Sequence, residues 1–180
     1  MKITLPTADG GLESYEPLGP AAWASESAPP RSRIAYAAAH VVADPLGVNT
    51  PGSPAAVDWD ATLRFRRHLW SHGLRVADAM DTAQRNMGLD WKATEELIRR
   101  SATEAAAVGE PYTLLACGAG TDHRGANLTV DQVIEAYSEQ LAVVEGSGAK
   151  AVLMASRQLA AAASGPDDYH RVYGKLLTQA

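Results

Sequence analysis

Polar side chains that could bind or transform a small molecule follow four short apolar segments of the chain. An imidazole or a carboxylate can hold a metal ion or move a proton, and a guanidinium can receive an anionic group. In chain order, the candidates are His40, Asp81, Thr82, Gln84, His123 and Arg157. Each of these residue types is common, so the candidates indicate a functional site only if the fold brings them together.

The third apolar segment ends at Cys117 and is followed by Gly118 and Gly120. A cysteine nucleophile needs a neighbour that activates the thiol, and the sequence shows none, so a buried structural thiol is favoured. The two glycines match neither the dinucleotide-binding fingerprint nor the P-loop spacing. We therefore expect them to allow a tight course of the backbone.

The four apolar segments recur at a regular interval. They cover residues 34–42, 74–80, 112–117 and 149–155, and their starts lie 40, 38 and 37 residues apart. This is the period of a repeating unit of strand, loop, helix and loop. The segments lack polar and apolar alternation, which is typical of strands buried on both faces of a parallel sheet.

Helical patterns separate the segments. Asp58 is placed to cap a helix over residues 59–72, and a second helix follows Asp90. Thr129 and Gln132 have the spacing of a capping box for a third helix that runs to residue 146. A fourth begins near Pro166. Residues 1–32 are predicted to form a hairpin and a connector, and residues 33–180 four βα units.

This order predicts an α/β fold, the N-terminal half of a (β/α)8 barrel, with an open doubly wound parallel sheet as the alternative. The last helix runs to Ala180 without a C-cap, and four units are half of a barrel. The sequence therefore leads us to expect a truncated barrel.

Composition restricts the partners. The net charge is −5 and the pI about 5.5, which argues against nucleic acid or an anionic membrane surface as the main partner. Arg64, Arg66 and Arg67 are close together, and we expect them to form a solvated helix face. One cysteine and the absence of long apolar stretches favour the cytoplasm. No cofactor is expected.

Four segments carry a resemblance to a known superfamily. They are VDWD at 57–60, SHGL at 71–74, MDTAQ at 80–84 and GAKAVLM at 148–154. Their order resembles the N-terminal half of the dihydrodipicolinate synthase and N-acetylneuraminate lyase superfamily. It is especially similar to a domain-of-unknown-function family described as dihydrodipicolinate synthase-like.

The resemblance implies a barrel in which a lysine forms a Schiff base with a 2-oxo acid such as pyruvate and a carbon–carbon bond is made or broken. By resemblance, that lysine belongs to a sixth strand, beyond Ala180. Thr82 matches the second threonine of the superfamily's Gly-Thr-Thr-Gly-Glu motif, where a hydroxyl relays protons. The resemblance implies substrate binding near Asp81 and Gln84, to which we add His40, and Arg157, which follows the fourth strand, could receive an anionic group.

Three functional hypotheses follow. The first is part of a Schiff-base lyase or aldolase that acts on a small 2-oxo acid or related carbonyl compound and is incomplete without the lysine. The second is a metal-dependent barrel hydrolase or lyase with His40, Asp81 and His123 as ligands. The third is a non-catalytic half-barrel that associates with itself, because open sheet edges favour pairing, so we expect a homo-oligomer.

Overall fold

The computed structural model describes residues 2–19, 33–50, 53–80, 84–85 and 88–178. At the N-terminus, strands β1 (Ile3–Pro6) and β2 (Leu12–Tyr15) pair in antiparallel fashion. Asp9 and Gly10 lie in the turn between them, and Gly10 has a φ of +86°, which suits glycine. The predicted hairpin is confirmed, whereas the connector at residues 20–32 lies outside the described residues.

The second sheet consists of four parallel strands. They are β3 (Tyr36–Ala38), β4 (Arg75–Asp78), β5 (Leu115–Ala119) and β6 (Lys150–Leu153), and their spatial order is the chain order. Each strand is joined to the next through at least one helix, as a parallel pairing requires. The chain is thus a mixed α/β protein with a parallel sheet, as the repeat of apolar segments predicts.

Three long helices begin at the predicted caps. Asp58 accepts a hydrogen bond from the first turn of α1 (Trp59–Ser71), and Asp90 does the same for α2 (Trp91–Val108). The capping box of Thr129 opens α4 (Val130–Gly146). The last helix, α6 (Pro166–Leu177), begins with its proline at the first position, where the missing N–H costs nothing.

Two short helices lie where the sequence predicts none. Helix α3 (Pro111–Leu114) takes up the start of the apolar segment 112–117, which was predicted to be strand throughout, so that prediction is wrong there. The proline favours a helical first turn, and the strand begins only at Leu115. Helix α5 (Arg157–Ala162) follows β6 directly, and the hydroxyl of Ser156 caps it.

The hydrophobic core lies between the sheet and the long helices. Val76 and Leu115 pack with Leu97 and Ile98 of α2 in one cluster. A second cluster joins β5 and β6 to α4, α5 and α6; its fully buried members include Val133, Tyr137, Leu159, Val172 and Leu176. Burial of each large aliphatic side chain contributes about 1.5–3 kcal/mol before entropy is counted.

The opposite face of the sheet carries small side chains at its centre, with Tyr36, Arg75 and Lys150 at the amino ends of their strands. Strand alternation assigns Ala38, Ala77, Gly118 and Val152 to it, because their neighbours along the strands belong to the helix-side core. Val152 is 37% exposed there. We call this surface the open face of the sheet. Among the described residues, no helix is both long and apolar enough to cross a bilayer.

Candidate functional site

A pocket of about 610 Å³ lies at the carboxyl ends of β4, β5 and β6. Residues from three neighbouring strand ends line it, among them Met80, Arg85, Thr121, Met154, Ser156 and Arg157. In parallel α/β folds, ligands bind at this edge because the loops that follow the strands converge there. The pocket is therefore the candidate functional site.

Arg85 forms the buried wall of the pocket. Its side chain is 3% exposed and pairs with Asp122 through two hydrogen bonds, Nη2 to Oδ1 at 2.6 Å and Nε to Oδ2 at 3.0 Å. Its Nη1 donates to the carbonyl oxygens of Ala79 and Gly118, and its guanidinium lies 5.3 Å from the ring centroid of Trp91. All of its donor nitrogens are thus occupied. Through these bonds, Arg85 links the loop that follows β4 to the loop that follows β5.

The carboxyl of Asp122 responds to two opposed influences. Burial alone raises its pKa, but the hydrogen bonds and charge of Arg85, together with a bond from Gln140, hold the pKa below its ordinary value. Asp122 is therefore an anion whose charge is matched by Arg85. The pair adds no net charge to the pocket.

Gln140 of α4 is fully buried and uses both ends of its amide. Its Oε1 accepts from the backbone N–H of Gly120 at 2.7 Å and from Arg85. Its Nε2 donates to Asp122 Oδ1 at 2.9 Å and lies 2.8 Å from Nδ1 of His123. Two donors at Oε1 fix the amide orientation, so Nδ1 of His123 must be an acceptor and its proton resides on Nε2.

The other ring nitrogen of His123 is also engaged. Its Nε2 lies 2.7 Å from Glu139 Oε2, and Arg124 bonds the same carboxylate. Arg124 and, to a lesser extent, His123 lower the pKa of the Glu139 carboxyl. His123 thus belongs to a hydrogen-bond network beside the pocket.

Two hydroxyls stand at the ends of β5 and β6. Thr121 Oγ1 lies 2.6 Å from Ser156 Oγ and donates to Gln158 Oε1 at 2.9 Å. Because Thr121 gives its single proton to Gln158, the proton between the two hydroxyls comes from Ser156, whose oxygen also accepts from the N–H of Leu159 at 2.9 Å. Both residues are buried, which gives the pocket a fixed polar wall.

Among the sequence-predicted candidates that the structure describes, Arg157 is the one that lines the pocket. Its side chain is exposed, and its guanidinium has no hydrogen bond or ion pair with the other residues that the structure describes. In contrast to Arg85, it brings to the pocket a positive charge that no carboxylate of the described residues neutralises. A carboxylate is the natural partner for such a fork of N–H donors.

The other predicted residues are distributed differently. Gln84 is 1% exposed, its amide donates to the carbonyl oxygen of Ala39, and it does not line the pocket. His40 is exposed and its carbonyl accepts from Arg66 at 3.3 Å. Asp81 and Thr82 lie outside the described residues.

No group of three or more His, Cys, Asp or Glu side chains in the described ranges could hold a metal ion. Because Asp81 falls outside those ranges, the ligand set of His40, Asp81 and His123 stays a hypothesis. Cys117 is buried as expected, and burial raises the pKa of its thiol well above the ordinary value.

A second buried ion pair lies on the helix side of the sheet. Arg64 and Arg67 are exposed as expected, but Arg66 is fully buried, so the prediction of a solvated helix face is wrong for Arg66. Its guanidinium bonds the carboxylate of Asp78 at 2.6 and 2.9 Å, and Ser101 donates to the same group at 2.6 Å. The N–H of Ala79, a residue with a φ of +54°, also bonds Asp78 at 3.1 Å. The ion pair therefore stabilises the backbone turn at Ala79, where the chain leaves β4 and enters the loop beside the pocket.

Sequence reasoning did not assign the residues that build the pocket wall. Arg85, Thr121 and Ser156 follow strand ends, so their position was visible, but their contacts depend on loops meeting in space. Gln140 offered a signal of another kind. It is a polar residue on the core-facing side of α4, between Tyr137 and Leu141, and such a residue needs buried partners.

Fold and pocket together define a mixed α/β protein with a ligand-sized cavity at the carboxyl edge of a parallel sheet. The chain belongs to the family described as protein of unknown function (DUF993), whose model matches residues 3–180. No curated protein matches the chain.

Proposed function

We propose that the chain is the substrate-binding half of a (β/α)8-barrel lyase of the Schiff-base type, and that its pocket takes the carboxylate of a small 2-oxo acid. One observation carries the proposal. The guanidinium of Arg157, which has no ion-pair partner within the described ranges, and the buried hydroxyls of Thr121 and Ser156 line one pocket at the ends of consecutive parallel strands.

The strand order supports a barrel. A doubly wound sheet reverses its order at a switch point, which sends helices to both faces. Here the order β3-β4-β5-β6 advances without reversal within the described residues. Right-handed crossovers then keep the helices on one face of the sheet, as in a barrel.

The proposed roles follow from the contacts. Arg157 would hold the carboxylate of the substrate, and the hydroxyl pair would donate to the neighbouring carbonyl oxygen if Thr121 turns away from Gln158. Arg85, Asp122 and Gln140 keep the loop backbone in position, because each of the three side chains hydrogen-bonds to the other two. These residues bind and orient; they do not form the covalent bond.

The carbon–carbon chemistry rests on the resemblance of the sequence to the dihydrodipicolinate synthase and N-acetylneuraminate lyase superfamily. A Schiff base needs a lysine at the pocket, and the four lysines of the chain lie elsewhere: Lys2, Lys92, Lys150 and Lys175. Lys150 opens β6 at the opposite end of the strand. The proposal therefore takes its lysine from outside this sequence.

A second candidate function is a non-catalytic module that associates with itself. It is favoured by the two outer strands β3 and β6, whose far edges have no partner among the described residues, and by the exposure of Val152. Size-exclusion chromatography with light scattering separates the candidates. A stable dimer that binds no 2-oxo acid supports the module, and a monomer that binds one supports the lyase.

Two experiments test the proposal in sequence. Isothermal titration of the chain with pyruvate is expected to show binding that weakens about tenfold or more in Arg157→Gln, because a bond to a charged group contributes roughly 1.5–3 kcal/mol. Arg171→Gln is the matched control, since Arg171 is exposed and pairs with Asp131 on another surface. Equal affinity in wild type and Arg157→Gln would refute the assigned role.

Reductive trapping tests the lyase chemistry. Protein isolated from its source is treated with pyruvate and sodium borohydride, which reduces an iminium to a stable secondary amine. We expect a mass increase on one lysine other than the four of this sequence. If the source protein gains no mass, the Schiff-base mechanism is wrong, whatever the binding result.

A further inference from the structure

We propose, on the basis of the proposed function, that the pocket prefers a 2-oxo acid with an extended or branched aliphatic side chain over pyruvate. The observation behind it is a pair of partly buried methionines, Met80 and Met154, that line the pocket from two different strand ends.

Both methionines reach the same point above β5. A Cβ built on Gly118 would lie 2.7 Å from Sδ of Met154 and 3.0 Å from Cγ of Met80. A Cβ on Gly120 would lie 3.1 Å from Cε of Met154. The two thioether side chains therefore cover the glycines on the open face and form an apolar floor at the end of the strand.

The backbone of each methionine is anchored although its side chain is not fully enclosed. Met154 donates its N–H to Ala119 at 2.9 Å, and its carbonyl accepts the hydroxyl of Tyr137. Met80 follows Ala79, whose N–H and carbonyl are bonded by Asp78 and Arg85. An anchored backbone with an unbranched, polarisable side chain gives an apolar surface that adapts to its ligand.

The pocket is thus divided into a polar and an apolar part. Arg157, Thr121 and Ser156 suit the carboxylate and carbonyl of a 2-oxo acid, whereas the methionines and Ala155 offer no hydrogen-bond donor. The methyl group of pyruvate would cover little of this floor.

The test is a calorimetric series of pyruvate, 2-oxobutanoate, 2-oxopentanoate and 4-methyl-2-oxopentanoate on the whole chain. Affinity is expected to rise about fourfold per added methylene, the equivalent of about 0.8 kcal/mol of transfer free energy. Met154→Gln keeps the length of the side chain but makes the floor polar, so the affinity gain per methylene should disappear. Met154→Leu should retain it.

Val108→Ala is the control, because Val108 is exposed at the end of α2 away from the pocket. Thermal melts of all variants check that each is folded. If the acids bind with equal affinity, or pyruvate binds best, the inference is overturned while the proposed function stands. If no acid binds wild-type protein, the proposed function itself fails.

Discussion

Removal of the buried carboxylate of Asp78 is the perturbation for which the structure gives the clearest magnitude. The carboxylate receives bonds from Arg66, Ser101 and the N–H of Ala79, and both members of the ion pair are fully buried. In Asp78→Ala, the guanidinium of Arg66 stays buried without its counter-charge. Breaking a buried pair in this way costs about 3–5 kcal/mol. This is roughly a third to a half of a mid-range domain stability of about 10 kcal/mol.

The assay is urea unfolding followed by far-ultraviolet circular dichroism. With an m-value of about 2 kcal/mol/M, the unfolding midpoint should fall by roughly 2 M. The double variant Arg66→Met/Asp78→Leu removes both charges and should recover most of the loss, since an apolar pair often replaces a buried ion pair without cost. Glu96→Ala is the control, because Glu96 pairs with Arg100 in an exposed geometry that contributes under about 0.5 kcal/mol. If Asp78→Ala and Glu96→Ala destabilise equally, the role assigned to the buried pair is refuted.

Three further predictions concern the loops around the pocket. Gly118→Ala should lower the free energy of unfolding by about 1–3 kcal/mol, because the new Cβ would lie 2.6 Å from a backbone carbonyl oxygen. Gly125→Ala is the control and should lower it far less, because a Cβ at Gly125 meets no atom within 4 Å. Nitrogen-15 NMR should show His123 in the Nε2–H tautomer at neutral pH, with the signal assigned from the spectrum of His123→Gln; a protonated Nδ1 would contradict the hydrogen-bond network of Gln140. The pKa of Asp122 is lowered on folding, so its contribution to stability is present above the unfolded pKa near 3.8 and is lost as pH falls through the lower folded pKa. In Asp122→Asn, the unfolding free energy should therefore depend less steeply on pH below about 4; an unchanged slope would count against the pairing.

Much of the fold was predictable because its signals are local. Asp58, Asp90 and Thr129 cap helices through their own side chains, so a few consecutive residues are enough to predict these caps. The regular spacing of the apolar segments predicts parallel strands in the same way. The strand boundaries were less accurate, since the helical turn at Pro111 competes with the apolar pattern that follows it.

The site was less predictable because its contacts join distant parts of the chain. Arg66 sits in a basic, helical stretch, and its burial depends on Asp78 meeting it from a strand. Arg85 and Gln140 are 55 residues apart, and no local sequence pattern around either residue indicates that they form a hydrogen bond. That Arg157 lines the pocket could be anticipated, because a residue directly after a strand lies at the carboxyl edge of the sheet whatever its contacts are.

The most direct measurement of the central claim is an amide NMR titration of the isotope-labelled chain with a 2-oxo acid. The account predicts concentration-dependent shifts that are confined to the pocket, at Gly120, Thr121, Arg157 and Gln158, with the hairpin amide of Glu13 unchanged. The same titration of Arg157→Gln should need about tenfold more ligand for equal shifts. Shifts that appear elsewhere on the chain, or none at any concentration, would contradict the assignment of this pocket as the binding site of a small carboxylate.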